Sequence, residues 1–170
     1  MDIWTLILRL LHVGLGVFWA GAMLFAAFFL MPSLAEAGPD GAKVMAGLQR
    51  RRLLDVLPVV ALITIATGFW MYFRIAAESP EWARSSTGMA LGIGGASAVL
   101  ALLLGLTIMR PAQNRVGQLA ASMASLPEGP DRATVALELS PLRRRIAATS
   151  KLIAGLLIVS VVTMAVARYR

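Results

Sequence analysis

Long apolar runs alternate along the chain with shorter polar connections. A transmembrane helix needs roughly 20 mostly apolar residues to cross ~30 Å of hydrocarbon, and four runs meet that requirement. They cover residues of about 4–31, 57–73, 88–109 and 152–166. The pattern predicts an all-α fold, a single domain over 1–170 in which four transmembrane helices form an antiparallel bundle.

Prolines and capping residues suggest where these spans begin and end. Pro32 is expected to end the first span, because proline cannot continue the hydrogen-bond ladder of a helix. Asp55 is expected to cap the second span, with Pro58 in its first turn. The fourth run is short, so its helix is expected to begin outside the membrane near Pro141.

The segment 110–151 is long for a connection between spans. It is compatible with helix on both sides of a break at PEGPD, so it predicts a helical hairpin that extends the bundle on the cytoplasmic side. The hairpin is either a solvated spacer or a docking surface for a partner. The spacer is favoured, because the segment has no aromatic residue.

Composition supports a membrane protein, since 58% of the residues are hydrophobic and 15% are charged, whereas soluble domains are about 45–50% apolar. The absence of cysteine excludes disulfides, thiolate zinc sites and thiol catalysis. The formal charge of +7 does not require nucleic acid, for which no binding fold remains after four spans. Arginines beside anionic lipid at the cytoplasmic face account for it.

Charge placement predicts the orientation, because Lys and Arg in short connections stay on the cytoplasmic side. Of the 16 basic residues, eleven lie in the first and third connections. Both termini are therefore expected on the non-cytoplasmic side of a cell inner membrane. Tryptophan and tyrosine prefer the headgroup level, and five of them gather near the predicted outer interface: Trp4, Trp70, Tyr72, Trp82 and Tyr169.

His12 is the only histidine, and it lies about eight residues inside the first span. That is ~12 Å from the outer end of the helix, a depth at which a polar group needs a partner. Helical spacing places Arg9, His12, Gly16 and Trp19 on one stripe, which continues to Met23.

Two interpretations of this stripe stay open. In the first, His12 is an axial ligand of haem iron, Gly16 lets the flat macrocycle approach the backbone, Trp19 packs on its edge and Arg9 pairs with a propionate. The iron would then be five-coordinate, or its second axial ligand would be a methionine or a second copy of His12 across a homodimer. The methionines nearest in depth are Met71, Met89 and Met164. In the second interpretation, His12 only hydrogen-bonds a neighbouring helix and Gly16 permits close packing.

Other chemistry has little support. Every carboxylate lies in a connection or at a helix end, so neither a proton relay through the bilayer nor a catalytic residue is predicted, and a non-enzymatic role is favoured. Gly88, Gly92 and Ala96 form a face of small residues on the third span, and Gly94 and Gly95 widen it. This face fits close packing within the chain, and it also fits contact in a homodimer or a larger membrane complex.

The first span, LHVGLGVFWAGAMLFAAFFLMPSL, resembles that of small four-helix bacterial membrane proteins of the copper-resistance D-type, and of HemJ-type protoporphyrinogen oxidases. The matching positions are His12, Trp19, Gly21 and Pro32. The resemblance implies a four-helix fold and haem at His12. It does not imply oxidase activity or copper transport, because the third span has no lysine and the chain has no further histidine.

The sequence therefore favours a small integral membrane protein that is haem-associated or redox-accessory through His12. The alternative is a non-catalytic accessory or assembly subunit of a membrane complex that holds no cofactor.

The predicted orientation is testable with a reporter that functions only in the cytoplasm. Fused to the carboxyl terminus, it should give no signal, because the basic residues hold the first and third connections inside. Inserted into the third connection, the same reporter should be active. A strong signal from the carboxyl-terminal fusion would overturn the topology.

Overall fold

The computed structural model describes residues 2–169, apart from the side chains of Pro39 and Arg168. Its elements in that range are all helical, which confirms the all-α fold class. Four continuous helical segments are long and apolar enough to cross a membrane: Ile3–Glu36, Leu53–Glu78, Ser86–Ser125 and Pro130–Val166. Arg170 and the side chain of Arg168, which belong to the basic residues near the termini, lie outside the described residues.

Seven α-helices make up these segments and their connections: α1 Ile3–Phe25, α2 Met31–Glu36, α3 Pro39–Arg50, α4 Leu53–Glu78, α5 Ser86–Leu104, α6 Arg110–Ser125 and α7 Pro130–Val166. Helix α1 packs mainly on α4, and α5 mainly on α7, so the bundle consists of two antiparallel hairpins. We call the end that holds Asp2 and Tyr169 the terminal end. The opposite end, which holds the arginines at 50–52 and 143–145, is the arginine-rich end.

The first and third spans do not end at their prolines, which corrects the prediction for Pro32. A π-helical turn, Ala26–Leu30, precedes Pro32, and the equivalent turn Gly105–Met109 precedes Pro111. A proline ring clashes with the carbonyl four residues before it in an α-helix. In a π-helical turn the carbonyls pair five residues ahead, which moves them out of the way of the ring. The helix therefore continues through each proline.

Two other predicted helix starts are also displaced. Helix α4 begins at Leu53, after Arg52 in a left-handed conformation with φ of 56°. Asp55 does not cap it but accepts a hydrogen bond from Arg110 at 3.1 Å, and Pro58 lies inside the helix. Helix α7 begins at Pro130, so Pro141 is likewise internal. The twelve-residue helix α3 was not predicted, because it has no long apolar run.

Helices α6 and α7 extend the bundle beyond the apolar segments. At ~1.5 Å per residue, the 37 residues of α7 span about 55 Å, well over the ~30 Å of a hydrocarbon layer. The extension packs through Leu119 and Leu139, which are buried, and carries an ion pair between Arg115 and Glu138 at 3.3 Å.

Small side chains let the helices approach closely in the centre of the bundle, where Ala61, Ala101 and Ala154 are almost fully buried. On α5 the buried small residues are Gly88, Gly94, Ser97, Ala98 and Ala101, whereas Ala96 of the predicted face is exposed. The small-residue contact thus lies within the chain, and it uses Gly88 and Gly94 of the predicted face but not Ala96.

Gly94 is the tightest point of this contact, because a Cβ atom there would lie 2.8 Å from Thr163 Oγ1 and 3.0 Å from Met164 Cγ. We expect Gly94→Ala to destabilise the protein by about 1–3 kcal/mol, as overpacking does. Gly155→Ala is the matched control, since a Cβ at Gly155 meets nothing within 4 Å. Thermal midpoints in detergent compare the two variants, and equal midpoints would contradict this packing.

Candidate functional site

A cavity of about 720 Å³ lies between the two hairpins, towards the terminal end. Its volume is within the range of roughly 300–1,000 Å³ that is usual for ligand pockets. The wall is charged and aromatic at the terminal end, and small and apolar deeper in the bundle. All four predicted site residues line it: Arg9, His12, Gly16 and Trp19.

The His12 side chain bridges α1 and α4. Its Nδ1 atom lies 2.7 Å from the carbonyl oxygen of Thr64. A carbonyl oxygen only accepts hydrogen bonds, so Nδ1 carries the proton and donates it. This contact supplies the partner that a polar group within an apolar span requires.

Gly68 makes this contact sterically feasible. Side chains on a helix tilt towards its N-terminus, so a side chain at position 68 would lie over the Thr64 carbonyl, one turn earlier. A Cβ atom at Gly68 would be 2.6 Å from His12 Cε1 and 2.9 Å from Nδ1. The imidazole therefore occupies the space that a larger residue would take.

The other ring nitrogen of His12, Nε2, is left without a protein partner. It makes no hydrogen bond to any residue that the structure describes, and it is not among the enclosed polar atoms. Because Nδ1 carries the proton, Nε2 of the uncharged ring presents a lone pair. His12, which lines the cavity, thus has a free nitrogen that can accept a hydrogen bond or bind a metal.

Gly16 and Trp19 shape the wall below His12. A Cβ atom at Gly16 would be 3.4 Å from Thr64 Cγ2, so this glycine keeps α1 close to α4. Trp19 is only 5% exposed and forms part of the deep end of the cavity. Met23, next on the predicted stripe, is buried in the core beyond the cavity.

Arg74 organises the charged end of the cavity. Its guanidinium lies 3.0 Å from Asp2, 2.8 Å from Thr5 Oγ1 and 3.7 Å from Glu78, and 5.4 Å from the ring centre of Trp70. The Thr5 backbone N–H, the Thr5 hydroxyl and Arg74 together lower the pKa of Asp2 to about 2. Asp2 therefore stays ionised, and its contacts with Thr5 and Arg74 persist, until the pH falls towards 2.

Arg9 is the charged residue of the cavity wall without such a network. Its side chain is exposed, one turn above His12, and it forms no ion pair with any described residue. It is thus available to an anionic group on a ligand, whereas Arg74 already has two carboxylate partners.

The chain pattern did not reveal the partners of His12 on α4. Thr64 and Gly68 are four residues apart and so lie on one face of α4, but which face meets α1 depends on the tertiary contact. Arg74 was also missed as a site residue. Its position in the last turns of the second span, close to Trp70 and Tyr72, was the available signal.

The methionines differ in their relation to the cavity. Met71 and Met164 line it, whereas Met89 is 53% exposed and does not. Among the described residues, no group of three or more His, Asp or Glu side chains converges as a metal site. The cavity thus offers one imidazole nitrogen and thioethers rather than a cluster of ionisable ligands.

Comparison of the chain with family models, with curated proteins and with solved structures finds no match. Function is therefore inferred from the cavity itself. It joins a free imidazole nitrogen, an unpaired guanidinium and an apolar floor, which suits a ligand with an apolar body and an anionic edge.

Proposed function

We propose that this integral membrane protein holds haem in the cavity, with His12 Nε2 as the axial ligand, and serves as a haem-associated or redox-accessory membrane protein. The observation that carries the proposal is the hydrogen bond of His12 Nδ1 to Thr64. Histidines that bind metal usually donate the other ring N–H to a carbonyl or carboxylate, which fixes the tautomer and the ring orientation.

The residues of the cavity fit the group. Haem is a flat apolar macrocycle with two carboxylates on one edge, and the cavity is apolar at its floor and cationic at the terminal end. Gly16 adds no side chain to the cavity wall below His12, Trp19 offers a ring surface, and Arg9 is an unpaired partner for a propionate. When bound, haem iron would supply one-electron redox chemistry or ligand binding. The chain's own residues bind it, orient it and exclude water.

We place the protein in a cell inner membrane, with the terminal end on the non-cytoplasmic side. At the arginine-rich end, the side chains at 50–52 and 143–145 form no ion pair with any described residue. We propose that they contact anionic lipid, which attracts each Lys or Arg near its surface by about 1 kcal/mol. The cavity then opens towards the outer leaflet, where a membrane-dissolved cofactor is accessible.

The proposal is tested by titrating the detergent-purified protein with haemin and recording the Soret band. Wild type should bind haem, and His12→Ala should lose the ligand-dependent spectrum. Arg9→Gln should weaken binding by about tenfold, equivalent to about 1.4 kcal/mol, because it loses a charge-assisted contact.

Arg84→Gln is the matched control for Arg9→Gln, because Arg84 is exposed near the same end and does not line the cavity. It should bind haem like wild type. If wild type stays colourless after expression with abundant haem, the haem assignment is wrong and a cofactor-free accessory subunit is the remaining interpretation.

A further inference from the structure

The two hairpins of the bundle share features that align in register. When the π-helical turn Ala26–Leu30 is matched with Gly105–Met109, Pro32 falls on Pro111. Each hairpin thus begins with a long helix that changes to a π-helical turn and passes through a proline at the same place. Since the proline accounts for the π-helical turn before it, turn and proline together count as one shared feature of the two hairpins.

The second helices of the hairpins, α4 and α7, align in the same way. Matching the three arginines at 50–52 with those at 143–145 sets a register without reference to burial. The pattern of burial agrees with this register, since each of the four buried residues of α4 is aligned with a buried residue of α7. The pairs are Val60 with Ile153, Ala61 with Ala154, Thr64 with Leu157, and Thr67 with Ser160.

The cavity lies between the two hairpins, where they face each other. In the register of the π-helical turns, three of the four site residues of α1 have a counterpart on α5 that also lines the cavity, whereas Gly88, the counterpart of Arg9, does not. The pairs are His12 with Leu91, Gly16 with Gly95, and Trp19 with Ala98. The second hairpin therefore lines its side of the cavity with smaller, apolar residues and provides no nitrogen ligand.

We propose that the chain consists of two copies of one helical hairpin, and that haem at their interface is held by His12 alone. Leu91, the counterpart of His12, has no ligand atom, so the bound iron would keep one coordination position open to a small neutral molecule of the diatomic gas class. This inference rests on the proposed function, and it names the class of ligand that the same site accepts.

The two cavity methionines do not close that position. Met71 and Met164 occupy matching places, each three residues beyond Gly68 or its counterpart Val161. Met71 follows Gly68 by three residues and so lies on the same face of α4, which is the side of the cavity that His12 already occupies. Met164 is also packed against Gly94, where a Cβ would lie 3.1 Å from its methyl group.

Carbon monoxide is the probe for the open position. Added to the reduced, haem-loaded wild-type protein, it should shift the Soret band in a saturable titration. Leu91→His should place a second imidazole across the iron, give a six-coordinate spectrum before gas is added, and weaken carbon monoxide binding by at least about tenfold. That loss follows if the introduced imidazole occupies the iron in nine of ten molecules or more.

Ile93→His is the matched control, because Ile93 is on the same helix, is 55% exposed and does not line the cavity. It should leave the spectrum and the titration unchanged. If haem-loaded wild type does not bind carbon monoxide, or if Leu91→His has an unaltered spectrum, His12 is not the only ligand or Leu91 does not lie across from it. Either result would overturn this inference while leaving haem binding intact. A wild type that binds no haem would instead overturn the proposed function and this inference with it.

Discussion

The hydrogen bond from His12 to the Thr64 carbonyl is the contact on which the arrangement of the site depends. Hydrogen bonds between membrane helices average only about 0.6 kcal/mol, so its importance is positional rather than energetic. It fixes the imidazole against α4, assigns the proton to Nδ1 and turns Nε2 away from the protein's own acceptors. This position of the imidazole requires glycine at residue 68, because any side chain there would displace the ring.

Proline and glycine affect different features of this bundle, the continuity of the helices and the distance between them. The two π-helical turns let α1 and α5 continue through Pro32 and Pro111, so each first helix of a hairpin reaches the arginine-rich end without interruption. Gly94 brings α5 against α7 with no space for a Cβ atom. Each hairpin is therefore closely packed, and the cavity that the site residues line lies between the hairpins.

The sequence predicted the fold class well because hydrophobic length alone identifies a membrane span. Helical spacing also placed Arg9, His12, Gly16 and Trp19 on one stripe, and the four do line one cavity. Spacing failed where the outcome depends on three-dimensional contact: the helix that passes through Pro32, the polar helix α3, and the choice of Thr64 and Gly68 as partners of His12. The network around Arg74 was not predicted for the same reason, since its partner Asp2 caps α1 whereas its partner Glu78 ends α4.

The tautomer of His12 in the ligand-free protein tests the central claim most directly. Because the chain has a single histidine, labelling with ¹⁵N-histidine yields the two nitrogen resonances of one imidazole, free of overlap. For the uncharged ring, the structure predicts the tautomer in which Nδ1 carries the proton and donates it to Thr64, while Nε2 holds the lone pair that would bind iron. A spectrum in which Nε2 carries the proton and Nδ1 does not would contradict the contact with Thr64 and the ligand role derived from it.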